Sequence, residues 1–135
     1  MFDSIIFIFR TVNITFGKTV CKHNKIDQRF FNIRKVTVGR LEQNVSLDML
    51  AQSMNYSAAY LSRLIKKNTG QSFSELLLDL RLKKSMELLR LTDMRINDIA
   101  AKAGYNDVSY FISIFKKCTG VTPKEWRSLA KLGEL

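Results

Sequence analysis

The 135-residue chain contains one unit written twice. LDMLAQSMNY aligns with INDIAAKAGY at an offset of 49, setting Ala51 against Ala100, Asn55 against Gly104 and Tyr56 against Tyr105. One extra residue follows in the second copy, and YLSRLIKKNTGQSFSEL then lies beside YFISIFKKCTGVTPKEW at an offset of 50. A repeat limits the possible folds, because whatever turn or cap one copy needs the other must supply as well. Asn55 and Gly104 belong to the two residue types that best tolerate the left-handed conformation ending a helix. Gly70 and Gly120 end the next helix in the same way. Ser72 with Glu75, and Thr122 with Glu125, have the spacing of capping boxes, and Pro123 suits the first helical position. Each copy therefore reads helix, turn, helix, stop, capped helix.

Within the second helix of each copy two faces separate. Leu61, Leu64, Ile65 and Asn68, matched by Phe111, Ile114, Phe115 and Cys118, follow the i, i+3, i+4, i+7 spacing of a stripe against a core. Ala59, Arg63 and Lys66, matched by Ser109, Ser113 and Lys116, make the opposite face small, polar and basic. Ala51 and Ala100 let the preceding helix cross closely. Between the copies, residues 73–91 lack Gly and Pro and carry Leu on more than one side, which requires packing from more than one direction. Eighteen residue-to-residue rises of about 1.5 Å give roughly 27 Å, comparable with the ~34 Å between successive major-groove faces on one side of B-DNA.

Composition fits this picture and narrows the function. Six Gly and one Pro are too few for many short strands, so the chain is expected to be mostly helical. A net charge of +10 points to an acidic partner, with nucleic acid ahead of an anionic membrane. Residues 1–40 hold +6 of that charge and the remainder +4. Residues 1–33 show no sustained period and are expected to be an irregular basic segment: a flexible arm, a strand followed by a loop, or the remnant of a longer N-terminal domain. Cys21, His23 and Cys118 do not make a metal-ligand spacing, and free thiols in a reducing cytosol are expected, with no metal and no cofactor. MFDSIIFIF is too short to span a membrane and carries Asp3 where a secretion signal would be positive. One histidine and no convergent nucleophile or carboxylate pair argue against an enzyme.

GYNDVSYFISIFKKCTGVTPKEWR, residues 104–127, resembles the signature of the AraC/XylS family of bacterial transcription regulators, and the likeness extends over about residues 34–131. The resemblance also takes in Arg81 and the Leu88-Leu89 pair of the linking helix. It implies an all-α fold of about seven helices, with a first helix-turn-helix subdomain at 34–71, a connecting helix at 72–92 and a second subdomain at 93–131. It implies sequence-specific binding of double-stranded DNA, with recognition helices at about 58–68 and 109–118 in adjacent major-groove segments. Carried over position by position, it gives base-facing roles to Ala59, Ser62, Arg63, Ser109, Ile112 and Ser113. Arg63 suits direct readout, since a guanidinium bonds both O6 and N7 of guanine. Lys66, Lys67, Lys116 and Lys117 suit phosphate contacts, which give affinity without base identity.

The chain departs from the family pattern at several positions. Many relatives carry a basic residue in place of Ser113 and a polar one in place of Ile112, so Ile112 either meets a thymine methyl or packs against a neighbour. Ser85 stands where alanine is usual. Tyr105 and Trp126 are expected in the core. Thirty-three irregular residues cannot enclose a ligand cavity, so no small-molecule effector is expected. The resemblance further implies a cytoplasmic, nucleoid-associated monomer acting through RNA polymerase. The alternative is a helical interaction module that modulates other regulators after losing specific readout.

Overall fold

The structure, a computed structural model, describes residues 28–133, and the described residues form seven helices and no strand. In chain order they are α1 (Gln28–Gly39), α2 (Leu47–Ser53), α3 (Ala58–Thr69), α4 (Phe73–Leu91), α5 (Ile96–Lys102), α6 (Val108–Thr119) and α7 (Pro123–Lys131). The expected all-α architecture is present. Cys21, His23 and most of the segment expected to be irregular lie outside the described residues.

The segment's expected end needs correction. Helix α1 already covers residues 28–33, and Phe30, Ile33 and Thr37 form its buried stripe. Thr37 is fully buried and donates its hydroxyl to the Ile33 carbonyl at 2.7 Å, so burial leaves no polar atom unsatisfied there. Val36, Thr37 and Val38 are poor helix formers by propensity alone. Packing of Phe30 and Ile33 among Leu50, Leu61 and Ile65 supplies the compensating apolar burial.

The described chain divides between Leu80 and Arg81, inside α4, into two compact units. The division falls within the helix that occupies the expected connecting segment, 72–92. Phe73, Leu76 and Leu80 enter the first core, whereas Leu82 and Leu89 enter the second. The Leu-rich sequence on several sides of α4 is thus spent on two cores in succession along one helix. Ser85, at the position where alanine is usual, is completely buried and donates to the Leu82 carbonyl at 2.7 Å. Its hydroxyl is satisfied within its own helix.

In the first unit, α1, α2 and α3 pack around Leu50, Leu61 and Ile65, each fully buried. In the second, Ile99 and Ala100 of α5, Phe111 and Phe115 of α6 and Trp126 of α7 form the core. Phe115 meets Phe111 edge-on at 5.9 Å between ring centroids and Trp126 at 6.3 Å, the arrangement ring quadrupoles prefer. Arg127 of α7 ties down the chain after α4, its Nε donating to the Leu89 carbonyl at 3.2 Å and its second guanidinium nitrogen to the Met94 carbonyl at 2.6 Å. The Leu89 carbonyl is among the last of α4 and has no partner within the helix, so a cation there meets both a bare acceptor and the negative end of the helix dipole.

Candidate nucleic-acid interface

The turn before α3 and the turn before α6 are built by the same hydrogen bonds. In the first copy the Tyr56 amide donates to the Ala51 carbonyl at 2.9 Å and the Asn55 amide to the Gln52 carbonyl at 3.3 Å. In the second the Tyr105 amide donates to the Ala100 carbonyl at 2.9 Å and the Gly104 amide to the Ala101 carbonyl at 3.0 Å. These pairs are the two bonds of a Schellman stop, which needs a left-handed residue between helix and exit. Asn55 has φ 57° and Gly104 φ 96°, as the repeat predicts. The tyrosine after each stop packs on its own core, and Ala51 and Ala100 are buried at the crossing.

After the stop the copies diverge by the one extra residue. Helix α3 starts on Ser57, whose hydroxyl accepts from the Tyr60 amide at 3.2 Å. Helix α6 starts on Asp107, whose carboxylate accepts from the amides of Ser109 at 2.8 Å and Tyr110 at 3.2 Å. A hydroxyl cap begins α3 and a carboxylate cap begins α6. Both helices end on a left-handed glycine, Gly70 at φ 73° and Gly120 at φ 85°. Beside each glycine a threonine hydroxyl donates back into the helix, Thr69 to Ile65 and Thr119 to Phe115, and accepts from the amide after the glycine. The repeat in the sequence contains this threonine pair, but its role becomes visible only in the hydrogen bonding. Both capping boxes then form: the Ser72 amide donates to Glu75 Oε2 at 2.8 Å and the Thr122 amide to Glu125 Oε2 at 3.1 Å, with both hydroxyls accepting in return.

With each helix fixed at both ends, its outward face is defined. In α3, Ala59, Ser62, Arg63, Lys66 and Lys67 are exposed, and Leu61, Leu64 and Ile65 are buried. Arg63 lies along its own helix, its Nε donating to the Ala59 carbonyl at 3.4 Å. In α6, Ser109, Ser113, Lys116 and Lys117 are exposed as the sequence predicts. Ile112 is half-buried and packs against the second core. Tyr105 and Trp126 are in the core, as expected. Burial raises the Tyr105 phenol above the usual tyrosine range, partly opposed by the Arg81 guanidinium, which sits 5.4 Å from the ring centroid.

Sequence reasoning missed two aromatic residues on these helices. Tyr60 is half-buried and accepts from an Arg29 guanidinium nitrogen of α1 at 2.8 Å. Tyr110, its counterpart in the second copy, is 58% exposed. Among the described residues no cluster of three or more His, Cys, Asp or Glu is placed to hold a metal ion, and no helix is long and apolar enough to cross a membrane.

Two helix-turn-helix units, each presenting a polar and basic helix face, define a double helix-turn-helix protein. The chain belongs to the AraC-type helix-turn-helix family, the family described as "Helix-turn-helix domain" matching residues 50–128. It is 38% identical over 96 residues to the uncharacterized HTH-type transcriptional regulator YtdP of Bacillus subtilis, covering 71% of this chain and 12% of that protein. It is 40% identical over 67 residues to the HTH-type transcriptional activator RhaR of Cronobacter sakazakii, covering 50% of this chain and 24% of that protein. The C-terminal domain of AraT, a response regulator from Geobacillus stearothermophilus, superposes with a TM-score of 0.67 at 38% identity, covering 72% of this chain and 81% of that one. The chain thus spans between about an eighth and a quarter of the length of these two curated relatives.

Proposed function

We propose that this chain is a sequence-specific double-stranded DNA-binding regulator of transcription. One observation carries the reading: the same Schellman turn precedes two helices that each expose a small, polar and lysine-bearing face. The names of the relatives, a transcriptional regulator and a transcriptional activator, agree with it. In this reading α3 and α6 each enter a major-groove segment, and Ala59, Ser62, Arg63, Ser109 and Ser113 face base edges. Arg63 swings from its own helix onto a guanine, a bidentate contact that discriminates by about 1–3 kcal/mol. Lys66, Lys67, Lys116 and Lys117 meet phosphates. Both helices come from one chain, so a monomer occupies a site without palindromic symmetry. RNA polymerase is the expected protein partner, the cytoplasm the expected compartment, and neither catalysis nor a small effector is part of the role.

Selection from a randomised duplex library, followed by anisotropy titration of the recovered sequence, tests this reading. Enrichment of an asymmetric site bound at one chain per duplex, with footprinting protection of two major-groove segments, is the expected result. Six to ten phosphate contacts would lower affinity by about 10³ to 10⁵ between 50 and 200 mM salt. One feature favours a second reading, an interaction module that blunts other regulators: α6 offers Ser113 where α3 offers Arg63, and Ile112 is packed. Salt-sensitive binding that enriches no sequence would decide for that second reading.

A further inference from the structure

The two recognition helices do not expose equivalent positions. The repeat pairs Tyr60 with Tyr110 and Ser62 with Ile112. In α3 the serine is exposed and the tyrosine half-buried, whereas in α6 the tyrosine is exposed and the isoleucine half-buried. The outward arc of α6 has therefore moved around the helix, away from Ile112 and toward Tyr110. On an ideal helix Tyr110 and Lys117, seven residues apart, lie within about 20° of each other, with Ser113 beside them. Tyr110 thus shares an edge with a serine assigned to bases and a lysine assigned to phosphate.

The geometry points to Tyr110 as a duplex-contacting residue of the second helix, in the role that the repeat register gives to Ile112. The proposal rests on the DNA-binding reading above. Three further observations support it. The Tyr110 ring lies 6.0 Å from the buried Tyr105 ring, tilted at 53°, so a fixed aromatic surface backs the exposed one. Such support lowers the rotamer entropy lost on binding. The hydroxyl of Tyr60 is engaged by Arg29, which ties that tyrosine to α1. Finally, the first amides of α6 are occupied by the Asp107 carboxylate, so this helix start offers phosphate a negative charge rather than bare donors. A neutral phenol donor one turn into the helix reaches an acceptor oxygen of the duplex without that repulsion. The oxygen belongs to a phosphate or to a base edge, and the chemistry at Tyr110 is the same in both.

The experiment compares the full chain with Tyr110→Phe, Ile112→Val and Tyr60→Phe, on the selected duplex and on duplexes changed one base pair at a time in the second half-site. Tyr110→Phe is expected to weaken binding about three- to tenfold, the equilibrium factor for one net hydrogen bond. Its melting temperature is expected to stay at the parental value, because the group removed is exposed. Ile112→Val is expected to lower the melting temperature while leaving affinity within about twofold, as a core truncation does. Tyr60→Phe is expected to spare the second half-site. A loss equal across all duplexes assigns the acceptor to phosphate, and a loss confined to one base pair assigns it to that base. Unchanged affinity in Tyr110→Phe, or a larger affinity loss in Ile112→Val, overturns the assignment while the DNA-binding reading stands. A parental chain that enriches no duplex removes both.

Discussion

At the scale of single residues, backbone conformation and burial give the sharpest expectations. Gly104 ends α5 at φ 96°, where a β-branched side chain collides with its own backbone. Gly104→Val should cost about 1–3 kcal/mol, the usual strain of a non-glycine residue held there, and lower the urea midpoint accordingly. Asn55→Gly should hold or slightly raise stability, because glycine takes φ 57° without the side-chain penalty. Tyr105 provides a pH test. Its folded-state pKa is raised, mainly by burial, so its contribution to stability is complete below the ordinary tyrosine value of about 10. That contribution is lost as pH climbs through the raised value. Tyrosinate absorbance should therefore show Tyr105 ionising later than an ordinary phenol, and Tyr105→Phe should remove that late step.

For whole elements, the ends of helices carry more than their interiors. Helix α7 is fastened by its capping box at one end and, along its length, by Arg127 reaching back to Leu89 and Met94. Thr122→Ala removes one cap and should cost about 1 kcal/mol. Arg127→Met keeps most of the packing but abandons two carbonyls, and hydrogen bonds from a charged group are typically worth more, so about 2 kcal/mol is expected in denaturant titration. Lys131 and Asp93 offer a contrast. They pair at 2.8 Å, and the Lys131 hydrogen bond and charge hold the Asp93 carboxyl below its usual range. A depressed carboxyl adds stability above its unfolded value of about 4 and loses it as pH falls through the folded one. Both partners are solvated, so Lys131→Ala should leave the melting temperature almost unchanged at neutral pH.

Taken as a whole, the molecule is a polycation of net charge +10 whose proposed reading faces combine lysines with short polar side chains. Charge and identity of contacts should then separate in experiment. Lys116→Gln should weaken binding similarly on every sequence and reduce the salt slope by about 1, as expected when one phosphate contact is removed. Arg63→Ala should instead relax preference at one base position and leave helicity intact. Unchanged selectivity in Arg63→Ala would remove it from base readout.

The sequence by itself determined the repeat, the four left-handed stops, both capping boxes and the apolar stripes, because each is a local property with few chemical solutions. Only a residue tolerant of positive φ ends those helices, and the residues at 55, 70, 104 and 120 are of that kind. It did not reveal that α1 begins by Gln28, since QRFFNIRKVTVG owes its helix to Phe30 and Ile33 finding Leu50 and Leu61 rather than to propensity. Nor did it reveal that α4 serves two cores in succession, or that Ile112 is half-buried while Tyr110 is exposed. A period of 3.6 places a residue on an arc, but neighbours from distant sequence set where the arc ends, and residues at its edges are assigned only by what packs against them.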